Sequence, residues 1–155
     1  MLTLNKNHYM NSNSYAKQLK NYNRSKVNVE NPGSIILLSY ETLISSLRKS
    51  LYHIDKKNIE GANNALIKAQ LIVSELDNGL NKEVAKDLCE NLSSLYGYVY
   101  NRLIDANLAK SKEPIEECIK LIENIYEGWK GIIKGNKPMT VPTYGSGSKN
   151  INMNI

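Results

Sequence analysis

Few side chains in these 155 residues could do chemistry, so they are tested first. There are two histidines, His8 and His53. A phosphotransfer bundle needs an exposed histidine in mid-helix with helical partners, but His8 lies in a polar N-terminal stretch and His53 at the end of a helical pattern. The two cysteines, Cys89 and Cys118, lack metal-ligand spacing and are too few for a disulfide scaffold or a structural zinc site. Cys118 falls on an apolar stripe and is expected to be a small core residue. The Glu-x-x-His repeats of a di-iron bundle and a haem-attachment Cys-x-x-Cys-His are both missing. The glycines form no phosphate-cradling loop. Glu113, Glu116 and Glu117 cluster where a helix begins, and its dipole explains them without acid–base work. No catalytic constellation, metal site or cofactor site emerges, and the expectation is a non-enzyme.

The elements that would hold these residues are helical. Four long segments carry apolar residues in steps of three and four, and nothing carries strand period. The first opens at Asn31-Pro32, an N-cap followed by proline at the first helical position, and runs Ile36, Tyr40, Leu43, Leu47, Leu51, Ile54. The second, with Asn58 as its cap, runs Ile59, Ala62, Leu66, Ala69, Val73, Leu76, Leu80, and Gly79 is expected to end it in the left-handed region. The third, with Asn81 as its cap and Glu83 near its positive end, runs Leu88, Leu92, Leu95, Val99, Leu103, Ala106. A turn from Asn107 to Lys112, with Ser111 capping, leads to the fourth: Ile115, Cys118, Ile122, Ile125, Trp129, Ile132, stopped by Gly135. Helices of roughly 20–26 residues, about 30–39 Å long, joined by short turns must run antiparallel. The fold class expected is all-α, an up-down four-helix bundle over 31–133. Residues 1–30 are expected to be a flexible arm with a short helical lid around 14–24 (Tyr15, Leu19, Tyr22), and 134–155 a disordered tail.

Charge separates along the same boundaries. Residues 1–30 carry +4 and 134–155 carry +3, whereas 31–133 carries −2. The net charge of +5 therefore sits in the arms, and a nucleic-acid binder usually shows its basic face on the folded part. No apolar run is long enough for a transmembrane helix, and no signal-peptide pattern opens the chain; a cytoplasmic protein is expected. Apolar surface exceeds what one stripe per helix requires. Ile35-Ile36-Leu37-Leu38 points right round the first helix, and Tyr96, Tyr98 and Tyr100 widen the third. The surplus fits either an N-terminal segment packed over it or a groove for a partner helix.

Several motifs resemble a known family in the same order. Val27-Asn28-Val29-Glu30-Asn31-Pro32 followed by Ile35-Ile36-Leu37-Leu38-Ser39-Tyr40 is similar to the opening of the first long helix of the flagellin secretion chaperones, the FliS family, and Lys68-Ala69-Gln70 with Ile72 and Glu75-Leu76 resembles that family's later K-A-Q-x-I-x-E-L segment. The strongest match is Leu95-Tyr96-Gly97-Tyr98-Val99-Tyr100-Asn101-Arg102-Leu103-Ile104-Asp105-Ala106-Asn107, which resembles that family's L-Y-D-Y-M-x-R-R-L-x-x-A-N. Glu116-Glu117, Trp129 and Tyr15 also fit. Gly97 stands where the family has Asp, costing about 1 kcal/mol of helix propensity. Asn101 replaces an Arg, Glu41-Thr42 replaces Asp-Gly, and the linker from Tyr15 to Val27 is longer. The resemblance implies an export chaperone that binds the unstructured C-terminal segment of flagellin and hands it to the export gate. It would act without nucleic acid or membrane insertion, as a monomer or weak dimer. The partner-binding residues expected are Ile35 and Leu38 as apolar anchors, Tyr96 and Tyr100 as amphipathic contacts, Arg102 for carbonyls or carboxylates, and Asn107 for partner backbone or as a cap. Binding through the basic arms to nucleic acid or an anionic surface, and a self-associating structural bundle, are the rival readings.

Overall fold

Residues 32–135 are described by a computed structural model, and they form four antiparallel helices with no strand among them. These are α1 (Pro32–Asp55), α2 (Ile59–Asn78), α3 (Lys86–Ala109) and α4 (Glu113–Ile133). α1 packs on α2 and α4, and α3 packs on the same two, so the helices form a closed square whose diagonal pairs have no close backbone approach. The bundle anticipated from the 3.6-residue period is the one observed. The expected lid around Tyr15, Leu19 and Tyr22, the Asn31 cap and the 136–155 part of the tail lie outside the described residues.

The core is made of the stripes. Tyr40, Leu43 and Leu47 of α1, Leu66, Ala69 and Val73 of α2, Leu92, Leu95, Val99 and Leu103 of α3, and Ile115, Cys118, Ile122 and Ile125 of α4 are all buried. Each large side chain removed from water this way stabilises the bundle by about 1.5–3 kcal/mol. Ile59 is the exception within its stripe, 68% exposed, because as the first residue of α2 it overhangs the end of the core. Ile72, next to the stripe, is buried as well.

The connections show which local signals decide a helix end. Asn58 caps α2 as expected, its side-chain oxygen accepting from the Gly61 backbone N–H at 2.9 Å. The α1–α2 turn is closed by Lys57 in the left-handed region at φ 56°. At the α2–α3 connection the expectations fail. Gly79 keeps a right-handed conformation at φ −79°. The Asn81 side chain accepts from Glu83 N–H only two residues on, at 3.1 Å, which makes a local turn rather than a helix start. α3 therefore begins at Lys86, with Asp87 rather than Glu83 at its positive end and no side-chain cap at Ala85. α3 also continues through Asn107 to Ala109, where Lys110 turns left-handed at φ 49°. Ser111 does not cap α4, whose preceding residue is Lys112, again without a side-chain cap. Gly135 stops α4 with φ 108°, as its position suggested.

Both described ends lie at one pole. A Cβ built on Gly33 would stand 3.1 Å from the Ile133 side chain, so the start of α1 touches the end of α4. The opposite pole carries the Lys56–Lys57 and Lys110–Lys112 turns.

Candidate functional site

The longer α2–α3 connection has a consequence for the surface. Residues 79–85 link the two helices, and a largely apolar groove of about 560 Å³ lies between the last turns of α2, the first turns of α3 and the start of α1. Its walls include Ile35, Ile36, Leu76, Leu80, Val84 and Leu88, with Tyr96 and Trp129 also contributing. Val84 stands 72% exposed at the rim, an apolar side chain the bundle's own packing does not use. Glu75 is the acidic residue of the lining.

The groove rests on a buried hydrogen-bonded cluster. The Tyr40 and Tyr96 hydroxyls bond one another, and Trp129 Nε1–H donates to the Tyr40 hydroxyl at 3.0 Å. Burial pushes the Tyr40 phenol up to about 12 and that of Tyr96 well above its ordinary value, so both stay neutral donors and acceptors. This corrects the expectation for Tyr96. It is 1% exposed, with its hydroxyl committed inside the protein rather than aimed at a partner. Trp129, assigned to the core from its stripe, is half-buried and shared between core and groove.

The other expected site residues divide. Ile35 lines the groove; Leu38 is half-buried and does not. Tyr100 is 37% exposed and borders a smaller furrow between α2 and α3. Further along the same side of α3, Ile104 and Leu108 are exposed. Arg102 serves the fold, its guanidinium 2.8 Å from Glu117 on α4 and 3.8 Å from Asp105. Glu117 also accepts from the Tyr98 hydroxyl, and this bond, with Arg102, holds its carboxyl below the usual range. Asn107 does not cap α3. Its amide donates to Asn63 of α2 at 2.7 Å, and Lys110 Nζ donates to its backbone carbonyl at 2.8 Å.

A second hollow, about 830 Å³ on the α1–α4 side, carries more charged residues in its lining, among them an Arg48–Glu123 pair and Glu41, which accepts from the Tyr126 hydroxyl. His53 faces the Asn58 amide at 3.3 Å in the α1–α2 turn. Among the described residues no three His, Cys, Asp or Glu side chains gather as a metal ion would require, and no helix is long and apolar enough to cross a membrane. The arrangement can bind an apolar chain. Sequence reasoning singled out Ile35, which lines the groove, but missed Val84, whose signal was an apolar residue directly after Asn81-Lys82-Glu83 in a polar connection.

Comparison with known proteins agrees with this architecture. The profile of the flagellar protein FliS family matches residues 15–136. The flagellar secretion chaperone FliS of Salmonella typhimurium is 33% identical over 109 residues, covering 70% of this chain and 81% of that protein. The protein of the same name from Bacillus subtilis is 29% identical over 116 residues, covering 75% and 86%. A crystal structure of a bacterial flagellar chaperone superposes with a TM-score of 0.65 at 20% identity, covering 78% of this chain and 98% of the other, which supports the fold. On the strength of the profile match the chain belongs to the FliS family, a family of flagellar secretion chaperones.

Proposed function

We propose that this protein is a cytoplasmic, non-enzymatic escort for flagellin, holding the C-terminal segment of that subunit until export. The observation that carries the reading is the apolar groove with Val84 exposed at its rim, surface that the four-helix core leaves unused. A flagellin end must be apolar on one face to pack in a filament, and the same face would self-associate in the cytoplasm. Seating it in the groove and along the exposed side of α3, by Tyr100, lowers its free concentration. A wrapped segment of this kind buries on the order of 1,000–3,000 Å², offset by several kcal/mol of ordering cost, so release stays accessible. Handover to the export gate then needs only a competing binder, without nucleotide or cofactor. In this reading the N-terminal arm, with Tyr15, Leu19 and Tyr22, acts as the lid.

Calorimetry and circular dichroism with a C-terminal flagellin peptide test it. Binding with a gain of helix is expected. Val84→Asp should leave the melting temperature nearly unchanged, as an exposed substitution does, and weaken binding at least tenfold. A wild-type protein that neither binds the peptide nor orders it refutes the proposal.

A further inference from the structure

The chain continues past the described residues from a point beside the apolar groove. Gly135, with φ 108°, stops α4 at the pole where the groove lies. Gly33 there stands against Ile133, and Ile35 and Ile36, two and three residues on, are groove walls. Trp129 is also a wall, four residues before the end of α4 and so about 6 Å along its axis. The family profile stops at residue 136, so the segment that starts here is outside the family match.

The residue types of that segment suit the groove. Lys137-Pro138-Met139-Thr140-Val141-Pro142 places a cation and two apolar side chains at alternate positions. Proline steers the residue before it away from the helical region, which biases Lys137 and Val141 to extended backbone. In an extended chain residues 137, 139 and 141 share one face. Glu75 is the one charged residue described in the groove lining, and 136–155 carries two lysines and no acid. Six extended residues reach about 20 Å, enough to carry Val141 from Gly135 past Trp129. The apolar residues of the N-terminal arm named above, Tyr15, Leu19 and Tyr22, stand ten or more residues from Pro32, and the shorter tether favours 137–141.

We propose that residues 137–141 fold back as an extended strap into the apolar groove, Met139 and Val141 beside Trp129 and Lys137 toward Glu75, so that the chain fills its own groove until a client displaces it. The docking stands on the groove alone; its role as a brake on capture rests on the escort reading above. Tethering makes a weak contact sufficient. A short flexible linker gives an effective concentration on the order of millimolar, so a strap with an affinity of about 0.1 mM is docked in about nine molecules of ten. Such a strap weakens apparent client binding about tenfold. A longer client segment that buries more surface overcomes it.

Trp129 is the single tryptophan and lines the groove, so it reports on the strap. Acrylamide quenching of its fluorescence is compared in the full-length wild type, Val141→Asp, Leu19→Asp and the control Ile151→Asp, which lies beyond the Gly145–Ser148 spacer. Val141→Asp is expected to raise quenching at an unchanged melting temperature, and Ile151→Asp to match the wild type. Quenching unchanged by Val141→Asp overturns the proposal, and so does a response confined to Leu19→Asp, which gives the groove to the N-terminal arm. Calorimetry with a C-terminal flagellin peptide then reads the brake: Val141→Asp is expected to bind about tenfold more tightly than the wild type, and equal affinity overturns the brake. A wild-type protein that fails to bind the peptide overturns the escort reading, while the quenching result still decides the strap.

Discussion

Removing one hydroxyl from the Tyr40–Tyr96–Trp129 cluster should not be equivalent to removing another. Tyr40 is the hub, bonded to Tyr96 and accepting from Trp129 Nε1–H at 3.0 Å. Tyr96→Phe leaves the Tyr40–Trp129 bond standing and should cost about 1 kcal/mol, the net worth of one hydrogen bond. Tyr40→Phe takes a partner from two groups, the Tyr96 hydroxyl and the Trp129 N–H, and leaves them only the weaker interaction between each other. A stranded buried group costs about 1–3 kcal/mol. Trp129 is half-buried, so water recovers part of its share, and about 2–3 kcal/mol is expected in total. The double substitution Tyr40→Phe, Tyr96→Phe removes the unpaired hydroxyl and should be more stable than Tyr40→Phe alone, a coupling larger than about 1 kcal/mol. Trp129 is the single tryptophan of the chain, so urea unfolding followed by its fluorescence, with circular dichroism as a second probe, reads all four proteins. Strictly additive losses, or Tyr96→Phe costing as much as Tyr40→Phe, would refute the hub assignment.

Two further outcomes follow from groups whose ionisation the fold shifts. Glu117 is held below its usual value of 4.5 by the Tyr98 hydroxyl and by Arg102, so its contribution to stability is present above that pH and is lost as pH falls through the lower folded value. The melting temperature of Glu117→Gln should therefore lie below that of the wild type at neutral pH and converge on it in acid; a constant gap would refute the assignment. Cys118 is fully buried, and burial pushes its thiol up to about 12. Alkylation by iodoacetamide at pH 8, read by mass spectrometry, should leave Cys118 unmodified in the folded protein and label it once urea unfolds the chain; labelling at equal rates in both states would contradict its burial.

The helices and their inward faces were legible in the sequence because a 3.6-residue period depends only on direction around one helix. Leu88, Leu92, Leu95, Val99, Leu103 and Ala106 needed no knowledge of their neighbours to be recognised as core, and all are buried. Partners are another matter. Tyr96 and Tyr40 lie 56 residues apart, and the side-chain period cannot say that two phenols will meet; Tyr96 accordingly looked available to a client. Arg102 likewise looked free to orient one, until packing brought Glu117 of α4 against it. The groove was legible only as an excess of apolar residues in α1 and α3. Its location depends on α3 starting at Lys86, and that start was hidden by Asn81, a residue type that caps helices and closes local turns with the same side-chain oxygen.

Gly33 lies against Ile133, so the first helix starts and the last one stops beside the groove. An affinity tag, fluorophore or fused reporter attached ahead of Pro32 or after Gly135 is therefore tethered at the mouth and competes for space with whatever enters. A spectator inserted at the Lys56–Lys57 or Lys110–Lys112 turn stands a helix length away, about 30 Å or more, and leaves the entrance clear. Assays of cargo capture by this protein should be immobilised from that distal pole.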